Sequence, residues 1–194
     1  FAFAIWDEKK KDLFAARDRF GEKPFFYYYD NNRFLFASEM KAIWSAGISK
    51  TPNQKMLFNF LTIGYTGNPD RPEETFYEQV FKLPPASFLK FSFVYFTYSI
   101  HTYWSIDPEM QDNGITDNEA IGQFNSLFRE SIQRRLRSDV PIGTSLSGGL
   151  DSSSVIAMMD SMNPQQTSFT CFTASFPGFD KDELPYARQI ADTF

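Results

Sequence analysis

The stretch Val140–Ser154, VPIGTSLSGGLDSSS, constrains the fold more than any other part of the chain. An apolar run, a glycine pair and a hydroxyl-rich segment follow one another, the pattern of a β-strand, a tight turn and the start of a helix. Gly148 and Gly149 lack Cβ atoms, so the backbone there can turn sharply and come close to a ligand. The helix N-terminus offers unpaired N–H groups and a positive end, both suited to an anion. Ser147, Ser152 and Ser153 add hydroxyl donors. Asp151 is the odd member, because a carboxylate placed beside phosphates repels them. A magnesium ion bridging it to a polyphosphate removes that conflict. Alternatively Asp151 caps its own helix, and the two roles are compatible. The turn is neither G-x-x-x-x-G-K nor G-x-G-x-x-G, so it suits neither a Walker A site nor a dinucleotide fingerprint.

The flanking sequence extends this unit. Thr116-Asp-Asn-Glu119 is a capping box, followed by an apolar stripe at Ile121, Phe124, Leu127, Phe128, Ile132 and Leu136. A strand at Ile142–Leu146, a helix at Ser152–Met162 ended by Asn163–Pro164, and a strand at Ser168–Phe172 complete a βαβ order, the start of a parallel sheet. An amphipathic helix is expected over Asp182–Phe194.

Upstream, the period is two. FAFAIWD, DLFAARD, FFYYYD and RFLFAS are short apolar runs about ten residues apart, which predicts an antiparallel meander. Ser38 to Trp44 suggests a short helix stopped by Gly47, and Asn53 to Leu61 a second with Met56, Leu57 and Phe60 on one face. A loop punctuated by proline and glycine spans Gly64–Glu74. Strands at Phe76–Phe81 and Ser87–Phe96 bracket Pro84–Pro85. Asp107–Gly114 has linker character, dividing the chain into domains at 1–107 and 116–194 with a linker over 108–115.

Composition narrows the function classes. The 194 residues are 42% hydrophobic with a formal net charge of -5, which disfavours nucleic acid and anionic membrane as partners. Arg129, Arg134, Arg135 and Arg137 read as a solvated helix face. The single cysteine, Cys171, excludes an internal disulfide and fits a reducing, cytoplasmic setting. FSFVYFTY at Phe91–Tyr98 is far short of the roughly 20 residues of a membrane-spanning helix and reads as a strand. With 23 phenylalanines, a core filled by rings is expected. The abrupt apolar start at Phe1 and the helix reaching Phe194 suggest a segment of a longer protein.

SGGLDSS at Ser147–Ser153 resembles the pyrophosphate loop of the N-type ATP pyrophosphatases, and LRSDVPIGTSLSGGLDSS resembles the asparagine synthetases in particular. FAFAIWDEKKKDLFAARDRFGEKPFFYYYD resembles the end of that family's glutamine amidotransferase domain, with Arg17, Asp18, Gly21, Lys23 and Pro24 in place. RFLFASEMKAI, ETFYEQVFKLPPASFL, Tyr103–Trp104 and FTASFPGFDKDELPYARQIADTF follow in family order.

The resemblance implies two domains. The first is the C-terminal part of an α+β antiparallel N-terminal-nucleophile sandwich that hydrolyses glutamine. The second is the N-terminal part of an α/β parallel-sheet ATP pyrophosphatase domain. That domain uses ATP and Mg2+ to adenylate aspartate, which ammonia then converts to asparagine. By position, Ser147, Gly148, Gly149, Asp151 and Ser152 would hold pyrophosphate. Asp151 would also hold magnesium and serve catalysis by stabilising charge on the departing group. Ser145 and Ala174 match positions whose backbones contact the nucleoside. Aspartate and glutamine are the implied small-molecule substrates, and a homodimer is compatible with the family. The cysteine nucleophile is expected upstream of Phe1, and the second nucleotide loop and the aspartate site beyond Phe194. The segment alone should then lack synthetase activity. Two alternatives stay open: a β-lactam synthetase-like ligase with another acceptor, and a noncatalytic interaction protein that retains the fold.

Departures and bland residues complete the picture. Ser175 stands where the family usually has glycine, which bears on the width of the nucleoside crevice. Pro85-Ala86-Ser87 replaces a proline-glycine turn. Cys171 reads as a core thiol and His101 as a structural or surface residue. Asp180, Asp182 and Glu183 read as a helix N-terminus enriched in acids, and Arg17–Asp18–Arg19 as a structural network.

Overall fold

A computed structural model describes residues 1–110, 114–162 and 169–194. The chain forms two compact units, Phe1–Met110 and Gln111–Phe194.

Unit 1 is antiparallel, as its alternation predicts, but it is not one meander. Strands β1 (Ala2–Asp7), β2 (Asp12–Arg17), β6 (Ser87–Ser92) and β7 (Thr97–Thr102) form one sheet in the order β1-β2-β6-β7. Strands β3 (Phe26–Tyr29), β4 (Phe34–Ala37) and β5 (Val80–Lys82) form a second in the order β4-β3-β5. The chain leaves the first sheet after Arg17 and returns to it at Ser87. The sheets face each other across a core of Leu13, Ala15, Phe25, Tyr27, Leu83, Leu89 and Phe91. Phe34 and Phe91 bring their ring centroids to 4.4 Å across it. Adjacent tyrosines serve opposite faces, as the strand period of two requires. Tyr27 joins this core, while Tyr28 joins Ile43, Ile48 and Val80 beneath helix α1 (Met40–Ser45).

Both departures from the expected strands have backbone causes. The runs Ser87–Phe96 and Phe91–Tyr98 are each interrupted by a hairpin turn at 93–96. Phe96 takes a left-handed φ of 52° there, its ring packs on the core, and its carbonyl accepts from Tyr29 Oη at 2.7 Å. Partial burial of the ring and the bond from Tyr29 work against roughly 1–2 kcal/mol of backbone strain. In Phe76–Phe81, only the last residues enter β5. Thr75 Oγ1 accepts from Tyr77 N at 3.1 Å and donates to the Val80 carbonyl at 2.6 Å, and Gln79 adopts φ 63°.

Helix α2 (Gln54–Ile63) is capped by Asn53, whose side chain accepts from Met56 N at 3.2 Å, and it ends at left-handed Gly64. Of its expected apolar face only Met56 is buried; Phe60 is exposed. The following loop is held by buried Glu74, which accepts from Asn68 Nδ2 at 2.7 Å and Arg71 Nη1 at 3.1 Å. His101 lies exposed on β7, stacked on Phe88 at 5.1 Å.

Arg17 and Asp18 form the expected hydrogen-bond network, but it is aimed at the backbone, with no close Arg17–Asp18 ion pair. Arg19 instead lies over the Trp104 ring at 5.6 Å. Arg17 donates to the carbonyls of Gly21, Lys23 and Leu83 at 2.6–2.7 Å. The Asp18 carboxylate accepts from Phe1, Phe20, Glu22 and Lys23 nitrogens at 2.9–3.2 Å. Gly21 sits at φ 66°, and a Cβ there would lie 3.0 Å from the Arg17 guanidinium and from Pro85.

Unit 2 opens with helix α3 (Asp117–Arg135), whose N-terminus carries the full Thr116/Glu119 capping box. Its predicted stripe is largely uncovered in this chain: Ile132 is buried, whereas Ile121, Phe124 and Leu127 are exposed. Of the basic run, Arg134 pairs with Glu130 and Arg129 donates to Ser161 Oγ at 3.2 Å. Strand β8 (Gly143–Ser145), helix α4 (Leu150–Met162) and strand β9 (Thr170–Phe172) follow, and β8 pairs with β9 in parallel. Helix α4 starts two residues earlier than expected because Ser153 N already donates to the Gly149 carbonyl at 3.0 Å. The expected stop at Asn163–Pro164, the strand start at Ser168 and part of the 108–115 linker lie outside the described residues. Helix α5 is confined to Leu184–Ala191. Cys171, expected in a buried strand, is half-buried beside Leu146, Ile156 and Ala187, and burial pushes its thiol pKa up. No described helix is long and apolar enough to cross a membrane.

Two outcomes follow in solution. Ala86 adopts φ 52° where an L side chain is strained, so Ala86→Gly should gain up to about 1 kcal/mol of stability in chemical denaturation; a loss would show that the turn is unstrained. Burial alone would raise the Asp18 pKa, but the backbone hydrogen bonds from Lys23, Glu22 and Phe20 help to hold it well below the usual carboxylate range. A depressed folded pKa means that this stabilisation is complete above about pH 4 and is lost as pH falls through the folded value. Wild type should therefore lose more stability between about pH 4 and pH 2 than Asp18→Asn does. Equal acid-side slopes would contradict the assignment.

Candidate functional site

Parallel pairing puts the C-terminal ends of β8 and β9 side by side, with Ser145 opposite Phe172. The connection continues beyond the strands. Leu146 N donates to the Phe172 carbonyl at 3.0 Å, and Thr173 Oγ1 donates to the Leu146 carbonyl at 2.6 Å. Ser145, the last residue of β8, and Ala174, two residues past β9, are exposed at these adjacent exits. Such a strand-end crevice is where open α/β sheets take their ligands.

The turn that follows Leu146 is organised by its own hydroxyls. Ser147 Oγ and Ser152 Oγ are 3.0 Å apart, Ser147 Oγ accepts from Gly149 N at 3.3 Å, and Ser152 Oγ lies 3.2 Å from the Gly149 carbonyl. Ser147 N points to Ser152 Oγ at 3.3 Å. These contacts draw Ser147, Gly149 and Ser152 into one cluster around left-handed Gly148, φ 79°. Asp151 occupies the first turn of α4 and is exposed; among the described residues its carboxylate makes no hydrogen bond. The carboxylate therefore makes no capping bond, and the hydroxyls of Ser147 and Ser152 bond to each other and to Gly149, just ahead of the helix. Ser153 Oγ is buried without a hydrogen-bond partner.

Among the described residues no three His, Cys, Asp or Glu side chains cluster closely enough to hold a metal ion. A magnesium ion here would rest on Asp151 alone from the protein, with phosphate and water oxygens completing its shell, a common arrangement for that ion. The residues present fit such a site. The acids further along do not form a second one. Asp182 accepts from Leu184 N at 3.2 Å and from Ser175 Oγ at 3.4 Å, at the start of α5.

One supporting residue, Thr173, and one packing role of Gly148 escape sequence reasoning. Thr173 ties the two strand exits together through its hydroxyl, and only its place just after an apolar run hints at this. Gly148 is closely approached by the backbone of Tyr186 and Ala187, a contact nearly forty residues away in sequence that no local pattern encodes.

These observations define an antiparallel sandwich followed by a βαβ unit with a hydroxyl-lined, anion-suited turn. The same division appears in family matches: residues 1–104 match the glutamine amidotransferase domain and residues 123–194 match asparagine synthase. The chain belongs to the glutamine-hydrolysing asparagine synthetase family. It is 35% identical over 201 residues to a putative glutamine-hydrolysing asparagine synthetase 2 of Methanocaldococcus jannaschii, covering 100% of this chain and 37% of that protein. It is 40% identical over 160 residues to glutamine-hydrolysing asparagine synthetase 3 of Bacillus subtilis, covering 81% of this chain and 25% of the relative. Amidase chry2 of Gibberella zeae is 31% identical over 206 residues, covering 99% of this chain and 30% of its own length. The chain thus spans between a quarter and two fifths of the length of these curated relatives.

Proposed function

We propose that the protein is a glutamine-dependent asparagine synthetase that converts ATP, aspartate, glutamine and water to asparagine, glutamate, AMP and pyrophosphate. The observation that carries this reading is the Ser147–Ser152 turn, set at the end of a parallel strand with its hydroxyls gathered and the Asp151 carboxylate uncommitted.

In the proposed chemistry, an oxygen of the aspartate side-chain carboxylate bonds to the α-phosphorus of ATP, and the bond to pyrophosphate breaks. Ammonia from glutamine then bonds to the acyl carbon of the aspartyl-adenylate and AMP leaves. Ser147, Gly148, Gly149 and Ser152 would receive the pyrophosphate through backbone N–H groups and hydroxyls, which stabilise the charge that develops on it. Asp151 would hold Mg2+, and the bound ion supplies charge neutralisation at the phosphates. Ser145 and Ala174 would offer backbone contacts to the nucleoside at the two strand exits. Aspartate, glutamine, ATP and Mg2+ are the small molecules this assigns.

The test is product identification with the full-length gene product, MgATP, aspartate and glutamine, followed by phosphorus NMR. AMP and pyrophosphate formed only when aspartate is present support the reading. ADP and phosphate, or AMP formed without aspartate, count against it. Asp151→Asn in the same protein should lower the AMP-forming rate by at least about a hundredfold with an unchanged far-ultraviolet spectrum, in line with the loss of one preorganised charge contact. An unchanged rate would remove Asp151 from the metal role.

A further inference from the structure

Gly148 carries a constraint that ligand approach does not explain. A Cβ at this position would lie 2.5 Å from the Tyr186 carbonyl carbon, 2.5 Å from the Tyr186 Cβ and 2.8 Å from the Ala187 nitrogen. Two of those atoms are backbone, so no rotamer change relieves the clash. Gly149 differs: a Cβ there would meet only the Ser147 hydroxyl, at 3.3 Å. The bare Cα of Gly148 is therefore the seat of α5. The seat extends into a small core. Ala187 is 3% exposed and clusters with Leu146, the residue just before the turn, and Ile156, in the helix just after it. Helix α5 thus touches the residue before the turn, the turn itself and the helix after it. It has eight residues, and Glu183 at its N-cap makes no side-chain cap bond. A helix this short is not stable alone and owes its order to docking.

We propose that α5 is the positioning element of the pyrophosphate turn, so that α5 docking and ATP binding strengthen each other. The inference rests on reading Ser147–Ser152 as the ATP-phosphate turn. Docked α5 holds Gly148 in its left-handed conformation and keeps the hydroxyl cluster gathered. When α5 lifts, the turn is competent for only part of the time, and apparent affinity falls by that fraction, while saturating ATP restores the competent state.

The experiment uses the full-length protein. Ala187→Leu overfills the seat from the α5 side while leaving every turn residue unchanged, and should raise the KM for ATP about tenfold. At saturating ATP, kcat should stay within about twofold of wild type. A fall in kcat with unchanged KM would mean lost folded protein and would overturn the proposal, as would no change in either. Hydrogen exchange supplies the second measurement. In wild type, MgATP should slow exchange at Ala187 and Asp192, whose amides donate within α5, as well as at Ser147–Ser153; protection confined to the turn would overturn the coupling. Without nucleotide, Gly148→Ala should speed exchange in α5 and Gly149→Ala should not; equal α5 exchange in the two variants would overturn the seat. Wild type that forms no AMP under any acceptor condition counts against the functional reading, and the nucleotide-free comparison still decides whether Gly148 seats α5.

Discussion

Arg17, through its guanidinium, and Asp18, through its carboxylate and its carbonyl, together fasten both crossings between the two sheets of unit 1. The first crossing runs from β2 to β3, and its carbonyls at Gly21 and Lys23 accept from Arg17 while its amides at Phe20, Glu22 and Lys23 donate to Asp18. The second runs from β5 to β6. There Leu83 accepts from Arg17, and Ala86 N donates to the Asp18 carbonyl at 2.9 Å. Turns that leave one sheet and enter another carry backbone groups with no strand partner, and leaving these unpaired costs about 1–3 kcal/mol each when buried. One adjacent pair of charged side chains satisfies six of them. The planar fork of arginine suits three carbonyls at once in a way a lysine cannot.

That arrangement explains which parts of unit 1 were legible in the sequence. The strands announce themselves by alternation and the antiparallel pairing by their spacing. The partition into two sheets does not, because it depends on Arg17 reaching a carbonyl sixty-six residues away. The same limit applies to the hairpin at 93–96. Phe93 to Phe96 is as apolar as any strand, and its turn exists because a left-handed phenylalanine buries its ring and its carbonyl finds Tyr29. Ala86 is the milder case, an alanine in a glycine conformation with its amide and carbonyl both hydrogen-bonded.

In unit 2 the local signals are strong and the long-range ones silent. The Thr116 capping box and the glycine turn are chemical statements made within a few residues, and both are present as read. The stripe on α3 was equally clear as a pattern, but periodicity reports only that one face is apolar, not what covers it. The glycines show the difference within a single pair. Spacing treats Gly148 and Gly149 alike, whereas the packing makes Gly148 the contact point of a helix and leaves Gly149 nearly free of neighbours.

The hydroxyl cluster of the turn combines order with availability. Its contacts are long, 3.0 to 3.3 Å among Ser147, Gly149 and Ser152, and neutral bonds of that length contribute little net stability. They are enough to gather the donors and, in the proposed role, weak enough that a phosphate oxygen would replace them with charge-assisted bonds roughly twice as strong. The backbone frame beneath them is firmer, fixed by the 2.6 Å bond from Thr173 to Leu146 and by the fully packed side chain of Leu146. In the proposed role such a turn would need little reorganisation on binding, because the strand ends and α5 set the backbone and only the hydroxyls would need to turn.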